Sequence, residues 1–455
     1  MRAFVAALAA LLCLSVFLAV FLAVFSAPAS AQDTTTWIGG SPIRSSVTVG
    51  APGEAWVGVW VDAPMVTTVR ARTPIAVSLV VDTSGSMAGP KIDNARLAAA
   101  ALIQSLSDGD IVSIYGFATG VTEVAAPTVL DAYTRPVLLR NVSRLYAGGG
   151  TNLEGGLRAG ISRMAGAPIT HATRRVFVIS DGQANVGVTD PRMLGMLAAG
   201  ATEWGTQVTA IGVGYDYDPL TLNAMAVQSA GRMHHLGRPE QMSAILETEL
   251  SYMVRSVALS AVLEVRPAAG VMILEAATMG AVVEGGVLRL PLGSITAGQR
   301  RELLFRVRVP TADIGRRSLA TANLRFETPD GTPAPAQSTD LVLMVSRDAS
   351  GARETPRVAA MVAQHDASEA ERAAATLLAE GRREEAVARL DAARAAVSTA
   401  STSYAFDDAV VSGALASRQA ELDAAASSAR SATTPSAMHE RSYELQAAPM
   451  AADGY

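Results

Sequence analysis

Asp82-Thr83-Ser84-Gly85-Ser86 places one carboxylate and two hydroxyls on a short stretch, and Gly85 lets the backbone curl so that the three oxygens face one point. Gly148-Gly149-Gly150-Thr151-Asn152 and Ser180-Asp181-Gly182 follow in order, adding a third hydroxyl and a second carboxylate. Oxygens of this kind suit a hard cation. Two carboxylates with neutral hydroxyls hold Mg²⁺ without filling or fully neutralising its octahedral shell, so one or more waters remain on the ion. Mn²⁺ and Ca²⁺ are the other candidate ions. Taken singly, Ser84, Ser86 and Thr151 read better as helix caps, and Asp82 and Asp181 as turn residues. Their joint order is what points to a metal. Met87, Lys91 and Asn152 adjoin these motifs and are expected at a partner-binding rim; helix initiation by Met87 and Lys91 and loop shaping by Asn152 are the alternatives.

These oxygens need a scaffold that gathers them. Ile75 to Val81 is an unbroken apolar run that reads as a buried strand, with Asp82 at its carboxyl end. Ile92, Ala95, Ala99, Leu102, Ile103 and Leu106 recur at helical spacing, and Asp108-Gly109-Asp110 turns the chain into a strand from Ile111 to Phe117. Further strands are expected at Val121 to Val129, Val176 to Ser180, Gln207 to Val213 and Arg232 to Leu236, with helices between. Such alternation predicts an α/β fold over 75–255, a doubly wound and mostly parallel sheet. In open sheets of this type the ligand crevice lies beyond the carboxyl ends of the strands, where Asp82 and Asp181 both fall.

Together, Asp82-x-Ser84-x-Ser86, Thr151 and Asp181 resemble the metal-ion-dependent adhesion site of von Willebrand factor A domains, and each motif position carries the expected residue type. The resemblance covers residues 75–255 and implies the family's Rossmann-like fold. It also implies that Ser84 and Ser86 contact the metal directly, that Thr151 joins them in the ligand-competent state, and that Asp82 and Asp181 act through waters or as close acceptors. The flanking segments look like those of bacterial exported proteins that carry this domain in a β-rich frame.

Segment 32–74 holds short alternating runs such as Glu54 to Val61, and 256–346 shows a comparable series of strands bounded by turns such as Pro329-Asp330-Gly331. An antiparallel β-sandwich is expected, either built from both flanks around the inserted α/β segment or from the later strands alone. From 347 to 430 the composition shifts to Ala, Glu and Arg at helical period, and the join at Gly381 resembles one tetratricopeptide helix pair. The last segment, 431–455, lacks a period and reads as a disordered tail.

Composition narrows function further. A net charge of −5 over 455 residues supplies no broad basic field for nucleic acid. Residues 1–31 carry Arg2, an uncharged apolar run from Ala3 to Phe25 and a small-residue site at Ala29-x-Ala31, the pattern of an export signal. If retained, the same run is long enough to anchor the chain in a membrane. Cys13, the single cysteine, lies inside it, so a disulfide framework is not expected. His234-His235 point to opposite faces of a strand and do not share an ion easily. Asp216 and Asp218 read as a turn more readily than as a calcium site. No His-Glu-x-x-His, Gly-x-Ser-x-Gly or Walker sequence is present. The expectation is an exported, non-catalytic protein of the periplasm, envelope or exterior that grips a partner protein's Glu or Asp carboxylate through a divalent ion. The alternative is a regulatory or scaffolding subunit of an envelope enzyme or transport complex.

Overall fold

The computed structural model describes residues 36–65, 73–181, 183–215, 217–237, 241–404 and 409–452. The expected export signal at 1–31 lies outside them, as do Gly182 and Asp216. Among the described residues no helix is long and apolar enough to cross a membrane.

The chain begins with β1 (Ile38–Pro42), β2 (Ser46–Thr48) and β3 (Glu54–Asp62). An α/β segment follows: β4 (Ile75–Asp82), α1 (Pro90–Ser105), β5 (Ile111–Phe117), β6 (Val121–Val129), α2 (Thr134–Val142), α3 (Leu153–Ala165), β7 (Thr173–Ser180), α4 (Pro191–Ala199), β8 (Thr206–Val213), α5 (Pro219–Gln228), β9 (Met233–Leu236) and α6 (Gln241–Val254). Then come β10 (Ser256–Pro267), β11 (Met272–Ala276), β12 (Val282–Glu284), β13 (Val287–Thr296), β14 (Arg300–Arg308), β15 (Gly315–Glu327) and β16 (Gln337–Ser346). The described chain closes with α7 (Pro356–Ala379), α8 (Arg383–Tyr404), α9 (Ala409–Ser431) and α10 (Pro435–Ala452).

The α/β segment forms a six-stranded sheet in the order β6-β5-β4-β7-β8-β9, parallel except for the β5–β6 edge pair. β4 is buried along its whole length, which is why its sequence is continuously apolar rather than alternating. Ile75, Val77, Leu79 and Val81 enter a core with α1 and α6, while Ala76 and Val80 enter a second core with α3, α4 and α5. β4 connects to β5 on one side, and its other neighbour is β7, so the winding direction reverses between β4 and β7. That is the topological switch point where doubly wound sheets open a crevice. Asp82 and Ser180 end these two strands.

The flanks build one sandwich. β3 pairs antiparallel with β14 from Glu54↔Arg308 to Asp62↔Arg300, and β2 joins β16. A four-stranded sheet, β1-β3-β14-β11, faces a six-stranded one, β12-β13-β10-β15-β16-β2, across a core that includes Val57, Val59, Val61, Leu263, Phe305 and Leu324. The α/β segment is therefore an insertion between β3 and β10.

The other face of β3 carries Trp56 and Trp60, against which Val358 and Met361 of α7 pack. Arg357 grips Asp62 through two 2.7 Å hydrogen bonds and lies over the Trp60 ring. Pro435–Ala452 is helical where a disordered tail is expected over 431–455. α10 occupies most of this tail and docks on the α/β segment, Tyr443 donating to the Tyr217 carbonyl at 3.2 Å and meeting its ring edge-on. A helix whose own sequence has little amphipathic period is held here by tertiary contacts, which local patterning does not report.

Candidate metal centre

Asp82 leaves β4 into the switch-point crevice with its carboxylate out of contact with solvent. Its Oδ1 accepts from the Ser84 amide at 2.8 Å and its Oδ2 from Ser180 Oγ at 2.6 Å. Burial pushes its carboxyl above the usual aspartate value; the hydrogen bonds from Ser180 and Ser84 oppose this, and the neighbouring charge of Asp181 reinforces it. Ser84 precedes a 3₁₀ turn, Gly85–Met87, which brings the Ser84 and Ser86 hydroxyls to 2.9 Å from each other. Ser86 then donates to Asp181 Oδ1, also at 2.9 Å. Asp181 is buried too, and its Oδ2 receives Lys91 Nζ at 2.5 Å.

Thr151 comes in on a separate loop pinned to the first by backbone hydrogen bonds, Gly85 N to Gly149 O at 3.0 Å and Gly148 N to Thr83 O at 2.8 Å. Behind it, α3 lies close against the sheet because Gly156 and Gly160 face β4 and β5. A Cβ on Gly156 would stand 2.7 Å from the Phe117 ring, and one on Gly160 2.7 Å from Val80 Cγ2. Asn185, which the sequence reading did not single out, fixes the Thr151 backbone. Its Oδ1 accepts from the Thr151 amide at 2.7 Å, and its own amide donates back to the Thr151 carbonyl at 3.1 Å. A side chain that shapes a loop by bonding to its backbone leaves no periodic trace; only its place four residues after Asp181 marks it.

Asp82, Ser84, Ser86 and Asp181 thus form one hydrogen-bonded chain at the switch point, with Thr151 on the adjoining loop. The three residues expected at the rim behave differently. Met87 is fully buried in the core beneath α1, because the 3₁₀ turn directs its side chain inward. Asn152 caps α3, accepting from Gly155 N at 2.9 Å and donating to the Thr119 carbonyl. Lys91 is bound to Asp181 itself. Asp218 caps α5 through Leu220 N at 3.0 Å, and His234 and His235 take separate partners, Glu249 and Tyr217.

The chemistry of this donor set fits a divalent cation. Two buried carboxylates at one point repel each other and favour a positive charge between them. Neighbouring oxygens in an Mg²⁺ octahedron stand about 3.0 Å apart, given metal–oxygen distances of about 2.1 Å. The Ser84–Ser86 and Ser86–Asp181 oxygen separations, both 2.9 Å, suit that shell as well as they suit hydrogen bonds.

Comparison with known proteins agrees with this fold. Residues 77–183 match the family profile of the von Willebrand factor type A domain. Over the whole chain, a von Willebrand factor type A protein from Catenulispora acidiphila superposes with a TM-score of 0.69 at 18% identity, covering 92% of this chain and 98% of that one. The ArnB paralog VWA2 from Sulfolobus acidocaldarius gives 0.58 at 15% identity, covering 91% and 98%. Among curated sequences, an uncharacterized protein of Synechocystis is 25% identical over 272 residues, which are 57% of this chain and 63% of that protein. Inter-alpha-trypsin inhibitor heavy chain H3 of Mesocricetus auratus is 28% identical over 167 residues, 35% of this chain and 18% of that one. The chain therefore spans less than two thirds of the length of these curated relatives. With the profile match lying on β4 through β7 and the whole fold shared with two solved structures, the inserted α/β segment has the fold of a von Willebrand factor type A domain.

Proposed function

We propose that the protein is an exported, non-catalytic binding protein that holds one divalent cation, Mg²⁺ in the first instance, through Asp82, Ser84, Ser86, Thr151 and Asp181, and uses it to grip an acidic residue of a partner protein. The observation that carries this reading is the hydrogen-bonded chain from Ser84 through Ser86 to Asp181, with buried Asp82 beside it, at the sheet's switch point. When bound, the ion supplies an open coordination position for the partner's Glu or Asp carboxylate. The protein's own residues set the rest. Ser180 and the Ser84 amide hold the Asp82 carboxylate, Asn185 holds the Thr151 loop, and Lys91 neutralises Asp181. Binding is favoured over catalysis because the Ser84 and Ser86 hydroxyls are committed to each other and to the Asp181 carboxylate, not to an imidazole base. Export is supported by the apolar run and small-residue site of residues 1–31. The test is a pull-down from envelope extracts with the full mature chain. A partner that is released by EDTA and lost in Asp82→Ala supports the reading, and capture unchanged by either treatment overturns it.

A further inference from the structure

A cavity of about 330 Å³ opens beside the metal loops, and its walls include Thr83, Thr122, Asn141, Arg144, Tyr146 and Gly148. Thr83 sits between Asp82 and Ser84, and Gly148 leads into the Thr151 loop, so the cavity shares a wall with the candidate metal centre. That wall is stiff: Gly148 N donates to Thr83 O at 2.8 Å, and the Thr83 hydroxyl donates to the Phe117 carbonyl at 3.0 Å. Glycine makes the room. A Cβ on Gly116 would enter the cavity 3.3 Å from Thr83 Cγ2 and 3.4 Å from Leu145 Cδ2.

Arg144 is the only charged residue of the lining. Nearby Arg96 is spent on Asp93 and the Leu145 carbonyl, whereas the Arg144 guanidinium has no hydrogen bond or ion pair with any described residue. Tyr146 is 79% exposed, an aromatic ring held at the mouth of a cavity with no ring partner of its own among the described residues. A guanidinium and a tyrosine presented together over a preformed depression are the residue types that carry binding energy at protein interfaces. Arg144 also matches carboxylate geometry through two parallel N–H donors.

We propose that this cavity is a second subsite for the same partner segment, receiving an acidic side chain against Arg144 and Tyr146 while a first carboxylate engages the metal centre. The proposal rests on the metal-dependent reading above. Because Thr83 of the cavity wall and Ser84 of the metal centre are adjacent, the two carboxylates belong to one partner segment. The partner's motif is thus a pair of acids, not a single one.

The test is selection of phage-displayed random heptapeptides on the full chain in Mg²⁺ with elution by EDTA, run in parallel on Arg144→Glu and Tyr146→Ala. The wild-type pool is expected to share two acidic positions at fixed spacing. The Arg144→Glu pool should keep only one, and a synthetic wild-type peptide should bind that variant about tenfold or more weakly. An unchanged consensus and affinity in both variants overturns the subsite while leaving the metal-dependent reading intact. If EDTA elutes no enriched peptide from the wild type, both readings fall together.

Discussion

Lys91 Nζ stands 2.5 Å from Asp181 Oδ2, while Ser86 donates to the other oxygen of that carboxylate. Lys91 is the single lysine in the chain, so the one ammonium side chain available is placed on the acid that closes the candidate metal centre.

Replacing Lys91 by Met should therefore act in opposite directions on the two forms of the protein. Without the ammonium, no side-chain cation competes with an incoming ion for the Asp181 carboxylate, and Mg²⁺ affinity should rise about tenfold, some 1.4 kcal/mol. The same variant should melt earlier in EDTA. Calorimetric Mg²⁺ titration and thermal melting together check this, and unchanged values in both would refute competition between lysine and metal.

Asn185→Ala removes the clamp on the Thr151 backbone. One lost hydrogen bond costs about 1 kcal/mol of stability. A loosened Thr151 should weaken Mg²⁺ binding by more than that loss of stability alone would suggest, whereas an unchanged Mg²⁺ isotherm would place Thr151 outside the ligand set.

Gly156→Val puts side-chain atoms where Phe117 already lies. Overpacking of this kind costs about 1–3 kcal/mol and should lift α3 from the sheet, carrying Thr151 with it. Denaturant unfolding should show the destabilisation and metal titration the loss of affinity. Retained wild-type stability would mean that α3 does not depend on this close approach.

Glu249 gives the pH dependence. Burial opposes its ionisation, but Arg175, the hydrogen bond to His234 and Arg232 outweigh burial and hold its carboxyl well below the usual glutamate value. Since the folded state binds this proton less readily than the unfolded state, its contribution is complete above the unfolded value and is lost as pH falls through the acid range below it. Glu249→Gln should flatten that acid-side decline and cost about 3–5 kcal/mol at neutral pH, because Arg175 remains buried without its countercharge. Unfolding curves taken from neutral pH down through the acid range below the unfolded glutamate value of about 4.3 measure both effects.

What the sequence made legible follows the range of the forces involved. β4 was readable because burial on both faces demands a continuous apolar run, and Asp82 was readable as the polar residue that ends it. Asp181 follows from the same rule at the end of β7. Met87 was misplaced because a single 3₁₀ turn decides whether a side chain faces the core or the rim, and one turn has no periodicity. The shared sandwich is not legible in the sequence because Glu54 and Arg308 are distant along the chain and pair only through register. α10 escaped for a related reason: Tyr443, Leu445 and Ser442 are ordered by what they dock against, not by a pattern of their own.

The central claim is that these oxygens hold one divalent ion. Calorimetric titration of Mg²⁺ into the full chain, repeated with Ser86→Ala and Asp181→Ala, is the test. A single saturable site is expected in the wild type, and both substitutions abolish it while the fold still melts cooperatively. An isotherm without saturable heat in the wild type, or one that survives both substitutions, would contradict it.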